Sequence, residues 1–250
     1  MDLEWKIGSN DIALIKALVG KQTKNALVKH RRATNLAKNK TQVRRIRFWR
    51  LMVGMRLTSV QRSGPDGHVA RFIRKNPFPL SYEKTSRAED VESFIANELR
   101  KPPGGIRFVD KIAEELAANF RLLEEGEWAR TLKKCNRLTR LVSSNIEREV
   151  ADYIQEKFRG FGPKQARNLL QALGLTRFEV PIDSRVIDWL NEFGFPVRLN
   201  STALADNNYY IFVSEGIQVL CAKSGVFPCI LDAAIFSLKD GDSWNDTNVL

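Results

Sequence analysis

The sequence predicts an all-α protein, and three observations carry that expectation. Apolar residues recur at helical spacing in segment after segment; in 145–158, Ile146, Val150, Tyr153, Ile154 and Phe158 share one face. No stretch alternates apolar and polar residues with period two over a useful length. Glycine and proline clusters punctuate the helical segments, as at Ser63-Gly64-Pro65-Asp66-Gly67, Asn76-Pro77-Phe78-Pro79 and Pro102-Pro103-Gly104-Gly105.

Taken in order, 11–19 is the first helical segment, with Ile12, Leu14, Ile15, Leu18 and Val19 apolar, Asn10 as candidate cap and Gly20 as its end. Residues 21–45 are basic and polar with sparse apolar positions, and read as helix or as a partly ordered arm. Residues 46–57 form an apolar helix with Arg47, Arg50 and Arg56 along one side. A short helix is expected over 68–74, a longer one over 86–100 with Ser86 as cap, and others over 108–123 and 127–141. The last three helices are placed at 186–193, 207–224 and 228–238, with an Asp- and Asn-rich tail from 239.

Charge is distributed unevenly. The net charge is +11, and residues 1–62 hold fifteen Lys and Arg against three Asp and Glu. No acidic residue lies between Asp11 and Asp66. A one-sign block of this length is the electrostatic footprint of a protein that meets a polyanion, and it outweighs the alternative of a solvated helix face. No apolar run approaches the ~20 residues of a membrane span, and no cationic segment followed by an apolar one opens the chain. Cys135, Cys221 and Cys229 are scattered and odd in number, as in reduced cytosolic or nuclear proteins. The expected location is cytoplasmic, with the nucleoid, in a prokaryote and nuclear in a eukaryote. Two histidines, His30 and His68, leave little for a metal site.

The most informative stretch is 158–186. Gly160-Phe161-Gly162 makes a tight turn between the helix of 145–158 and one that begins at Pro163. Proline at the first helical position presets φ and gives up only an N–H that would be unpaired there. Exposed N–H groups at such a helix start suit a phosphate. Lys164 sits in that first turn, where the positive end of the helix dipole disfavours an ammonium. A loop then leads to Pro181-Ile182-Asp183. Each part has a plainer reading. The turn alone suits a sequence-blind DNA grip, Lys164 alone a solvated lysine, and Asp183 alone an N-cap.

Together these residues resemble the helix-hairpin-helix DNA glycosylases. Gly160-Phe161-Gly162-Pro163-Lys164 is similar to the family's hairpin, and Ile182-Asp183-Ser184-Arg185-Val186 to the segment that carries its catalytic aspartate. Lys164 falls on the lysine of the bifunctional members and Asp183 on the aspartate, nineteen residues apart. That spacing favours the 8-oxoguanine branch over the endonuclease III branch, whose iron–sulfur cluster needs four cysteines. Arg185 stands where many members have histidine. Elsewhere the resemblance is weaker: Phe48-Trp49 to Gln61 is similar to the region that delivers a residue into the duplex, and Leu231-Asp232-Ala233-Ala234 to the closing helix. Gln61 is the candidate wedge, with Ser59 and Arg62 as neighbouring alternatives.

The resemblance implies a helical barrel domain over 46–175 with the hairpin at a cleft, and a second domain built from 1–45 and 176–250. It implies a base-excision glycosylase that flips a damaged base, 8-oxoguanine before others, and cuts the strand through a lysine Schiff base. Lys164 and Asp183 would be catalytic; Gly160, Phe161, Gly162, Gln61, Arg62 and Arg185 would contact DNA. The expected partner is double-stranded DNA carrying a damaged base, met by a monomer with no cofactor, no metal and no membrane. Three alternatives stand: a glycosylase for another lesion, a non-catalytic hairpin that binds DNA, and an RNA-binding protein led by the basic N-terminal region.

Overall fold

The computed structural model describes residues 5–59, 61, 64, 66–102 and 104–239. Among the described residues every regular element is helical. The α-helices are α1 (Ser9–Lys21), α2 (Ala26–Asn35), α3 (Arg45–Leu57), α4 (His68–Ile73), α5 (Tyr82–Thr85), α6 (Val91–Arg100), α7 (Val109–Leu122), α8 (Trp128–Arg137), α9 (Ser144–Lys157), α10 (Pro163–Ala172), α11 (Ser184–Phe193), α12 (Asn207–Ser224) and α13 (Pro228–Lys239). A π-helical segment, Leu123–Glu127, joins α7 to α8 around Gly126, and a 3-10 turn, Ser201–Ala205, precedes α12. No single described helix is long and apolar enough to cross a membrane.

Two apolar cores organise these helices. The first gathers buried residues from Val43 to Leu175, and α3 runs through it. Phe48, Trp49, Met52, Val53 and Leu57 are fully buried there, and the second half of the helix, 52–57, is buried on every side while Arg45, Ile46, Arg47 and Arg50 stay exposed. Burying an aromatic or branched side chain stabilises by about 1.5–3 kcal/mol relative to leaving it exposed. Trp49 is affordable inside because its indole N–H donates to the Leu80 carbonyl at 3.0 Å. Tucked under the same core, Arg56 is also buried and pairs with Glu115 of α7. The arginines expected along one side of this helix therefore divide: Arg47 and Arg50 are exposed and Arg56 belongs to the interior.

The second core holds Ile15, Val19 and Val28 from the N-terminal helices together with residues from Val180 to Ile235. Residues 26–35, within the segment 21–45 left open as helix or arm, form an ordered helix capped by Asn25, whose side chain accepts from Leu27 N–H at 2.9 Å. That helix has few apolar residues of its own. It is held by tertiary bonds instead: Asn35, fully buried, donates to the carbonyls of Gln171 and Thr176, and Arg177 donates back to the carbonyls of Asn35 and Ala37.

Two expected caps move. The first helix starts at Ser9 behind Gly8, and Asp11 reaches back to the Gly8 N–H at 2.8 Å, so Asn10 lies inside the helix. The helix expected over 86–100 begins only at Val91: Ser86 is the C-cap of the preceding four-residue α5, and Asp90 caps α6 by accepting from Glu92 and Ser93 N–H. An aspartate that accepts two N–H groups is a stronger start signal than a serine one turn earlier.

Candidate active site

The hairpin is built as its residues require. Phe158 closes α9, the chain turns through 159–162, and Gly162 caps α10. Gly160 has φ +78°, and a Cβ there would lie 2.5 Å from Arg56 Nε and from Glu115 Oε2, so the buried ion pair packs against bare backbone. Asn119 of α7 clamps the turn from below, donating to the Arg159 carbonyl at 2.9 Å and accepting the Arg159 N–H at 2.8 Å. Gly162 differs. Its φ is ordinary and a Cβ would meet nothing within 4 Å. What its missing side chain provides is open space beside the start of α10, where no side chain caps the helix. Phe161, between them, is buried in the first core, so its backbone alone can face a ligand.

Lys164 stands in the first turn of α10, partly exposed, with no hydrogen bond or ion pair to any described residue. The adjacent Gln165 is buried and donates to the Met55 carbonyl at 3.0 Å, which fixes this turn against the end of α3. Gln61 hangs from the same helix end: its amide donates to the Leu57 carbonyl at 2.6 Å and accepts the Arg107 N–H at 3.1 Å. Arg62 lies outside the described residues.

Asp183 is the N-cap of α11, and its two oxygens have separate tasks. Oδ1 accepts the N–H groups of Arg185 and Val186 at 3.0 and 3.2 Å; Oδ2 accepts Arg185 Nε and Nη2 at 3.0 and 2.7 Å. The guanidinium of Arg185 also lies 4.0 Å over the ring of Phe236 on α13. The capping and the charged partner hold one rotamer, which makes Asp183 a fixed negative charge. The loop before it is pinned from α12. The Tyr210 hydroxyl donates to the Val180 carbonyl at 2.8 Å and accepts the Ile182 N–H at 2.6 Å. Beneath it, fully buried Arg167 of α10 pairs with fully buried Glu179 at 2.7 Å, and Arg148 of α9 reaches the same carboxylate at 3.3 Å.

Lys164, Asp183 and Arg185 converge in electrostatic reach of one more residue, Asp232 of α13. Burial pushes its carboxyl up to about 7; Arg31 pulls it down, the Asp183 charge raises it, and Arg185 and Lys164 lower it. The sequence marks this residue as an acid inside an apolar helix, a signal that periodicity absorbs as an ordinary helix position. A second feature was not legible. Phe108 is exposed at 51 % with φ 56° and ψ 39°, beneath the Arg107 guanidinium at 5.1 Å and next to the Gln61 contact. An exposed aromatic held in left-handed backbone carries two costs that the fold alone does not explain. Trp49, Trp128, Phe161 and Trp189 are core residues. Among the described residues no group of three or more His, Cys, Asp or Glu side chains is arranged to hold a metal ion.

Among the described residues, one open concavity is lined by Glu92, Asp110, Glu114, Glu115 and Gly160 and another by Gln61, His68, Gly105 and Arg107; neither includes Lys164, Asp183 or Asp232.

No protein-family model matches the chain. A curated protein of Thermoplasma volcanium, an 8-oxoguanine DNA glycosylase/AP lyase, is 26 % identical over 101 residues, which is 40 % of this chain and 47 % of that protein. The match thus spans about half the length of that relative. Two solved structures share the fold. The Methanocaldococcus jannaschii 8-oxoguanine glycosylase/lyase, in complex with a 15mer DNA containing 8-oxoguanine, superposes with a TM-score of 0.66 over 93 % of this chain and all of that one, at 15 % identity. The 8-oxoguanine DNA glycosylase of Thermotoga maritima gives 0.62 over 94 % of this chain and all of that one, at 17 % identity.

Proposed function

We infer that this chain, which has the helical fold of 8-oxoguanine glycosylases, is a base-excision repair enzyme of the same kind: a DNA glycosylase and AP lyase acting on duplex DNA that contains 8-oxoguanine. The observation that carries the reading is the pairing of an unpartnered lysine at an open helix start with a rigidly held carboxylate on the next helix.

The parts divide the work. Backbone N–H groups at the start of α10 take a phosphate, and the bare Gly162 lets it come close. The target base leaves the stack at a cost of a few kcal/mol, offset by its new contacts. The C1′–N9 bond breaks and its electron pair leaves with the base, which takes up a proton. Positive charge builds at C1′, and the fixed carboxylate of Asp183 stabilises it. The neutral amine of Lys164 forms a bond to C1′ and loses a proton; opening of the sugar ring gives a protonated imine. Loss of a C2′ proton then expels the 3′ phosphate and cuts the strand. Gln61, Arg107 and Phe108 form one surface from which the vacated place in the duplex would be filled.

Borohydride reduction during reaction tests this. A duplex with a single 8-oxoguanine and a duplex with an abasic site should both yield a covalent adduct, and both adducts should vanish in Lys164→Gln while DNA binding persists. An adduct on the abasic duplex alone keeps the chemistry and moves the substrate to another lesion. No adduct on either leaves a DNA-binding hairpin.

A further inference from the structure

Among the described residues, Asp232 is the one ionisable residue lining an apolar crevice formed with Val186, Trp189, Leu190 and Ile217, among others. Its carboxylate accepts the Gln171 amide at 2.8 Å, and Gln171 lies two turns along α10 from Lys164. The Gln171 carbonyl is held in turn by Arg31 Nη1 at 3.0 Å and Asn35 Nδ2 at 3.1 Å, both from α2. One turn beyond Asp232 on the same face of α13 lies Phe236, over which Arg185 rests. The charged and titratable groups that face Asp232 are Arg31 of α2, Lys164 of α10, Asp183 and Arg185 at the start of α11, Tyr210 of α12 and Cys229 of α13. Gln171 Oε1 and Arg31 Nε are buried there without a partner.

We propose that Asp232 is a positioning residue for the chemistry at Lys164: it ties the Lys164 helix to α13 through Gln171 and sets a second carboxylate charge behind the Lys164–Asp183 pair. The inference rests on the glycosylase and lyase reading. Asp183 alone is matched by Arg185, so its charge is largely neutralised locally. With Asp232 ionised, Asp232 and Asp183 face Lys164, Arg185 and Arg31, and a cation forming at C1′ meets one more negative charge. With Asp232 protonated that charge is gone. Burial and the Asp183 carboxylate place this change near neutral pH, so the contribution is absent in acid and grows as pH rises.

The test is single-turnover borohydride trapping on an abasic duplex, comparing wild type with Asp232→Asn from about pH 5.5 to about pH 8.5. The wild-type rate should match the variant at the acid end and exceed it on the order of tenfold at the alkaline end. Affinity for the duplex should stay within about twofold, since the residue acts behind the reacting groups. A ratio that does not change with pH overturns the proposal. Absence of an adduct in wild type overturns the lyase reading itself, an outcome visible before the variant is made. If Asp232→Asn does not fold, the carboxyl carbon of Asp232 is titrated by NMR in the unaltered protein. A midpoint between about 6 and 8 supports the assignment and one below about 5 overturns it.

Discussion

Two glycines two residues apart do different work, and the difference is measurable. Gly160 sits at φ +78° with Arg56 and Glu115 closing on it from α3 and α7. Gly160→Ala must strain the backbone and displace a buried ion pair, so it should lower stability by about 2–4 kcal/mol in a denaturant titration. Gly162 has ordinary backbone and empty space around it. Gly162→Ala should change stability by under about 0.5 kcal/mol yet weaken duplex binding, because the added methyl stands where a phosphate would approach. Equal losses of stability in both variants would remove the case for a ligand at this turn. The sequence presents the two positions alike, as a Gly-x-Gly turn. Which of them is required by the fold and which is free for a partner depends on what packs beneath, and that information is spread over residues 56, 115 and 119. Phe108 belongs to the same scale. It follows two glycines at positive φ, and Gly105 rests on the His68 ring; a periodicity reading detects none of this.

Among the elements, α10 and α11 carry the two proposed catalytic groups, and each is held by something other than its own propensity. The loop between them contains no regular structure; Glu147 accepts the N–H groups of Arg177, Phe178 and Glu179, and the Tyr210 hydroxyl holds the stretch next to Asp183. Tyr210→Phe removes the donor to Val180 and the acceptor for Ile182. It should reduce stability by about 1–2 kcal/mol and slow excision on the order of tenfold through misplacement of Asp183, with duplex affinity retained. A variant equal to wild type in rate would show that Asp183 is positioned by its cap and Arg185 alone. The helix boundaries at the hairpin were legible because proline, glycine and a strong apolar period agree there. The boundary at 86–91 was not: two candidate caps four residues apart compete, and the choice is made by the break that lets α5 and α6 pack separately against the first core. For α2 the sequence left helix and arm open, since a polar helix with little apolar surface gains its order from bonds to Gln171, Thr176 and Arg177 made by the rest of the chain.

Over the whole molecule, charge is segregated along the chain and the fold spreads it differently. Part of the basic N-terminal block is consumed internally: Arg31, Lys40, Arg47 and Arg56 bond to protein carbonyls or to Glu115. Lys29 and Arg32 of α2 remain exposed. If that face lies in the DNA footprint, replacing both with alanine should reduce the slope of log affinity against log salt by about 2; an unchanged slope would place α2 outside it. The residues of the chain were enough for the helical class, for the hairpin and its lysine and aspartate, and for the block of positive charge in residues 1–62. These are local properties: a period, a turn, a spacing and a sum of charges. Tertiary packing alone assigned the rest, because each remaining feature joins residues distant in the chain. It brought α13 behind the reacting pair and gave Asp232 its burial and its neighbours. It bound Asp183 to a loop held by Tyr210, and it sorted the arginines into those that hold the fold and those left facing solvent.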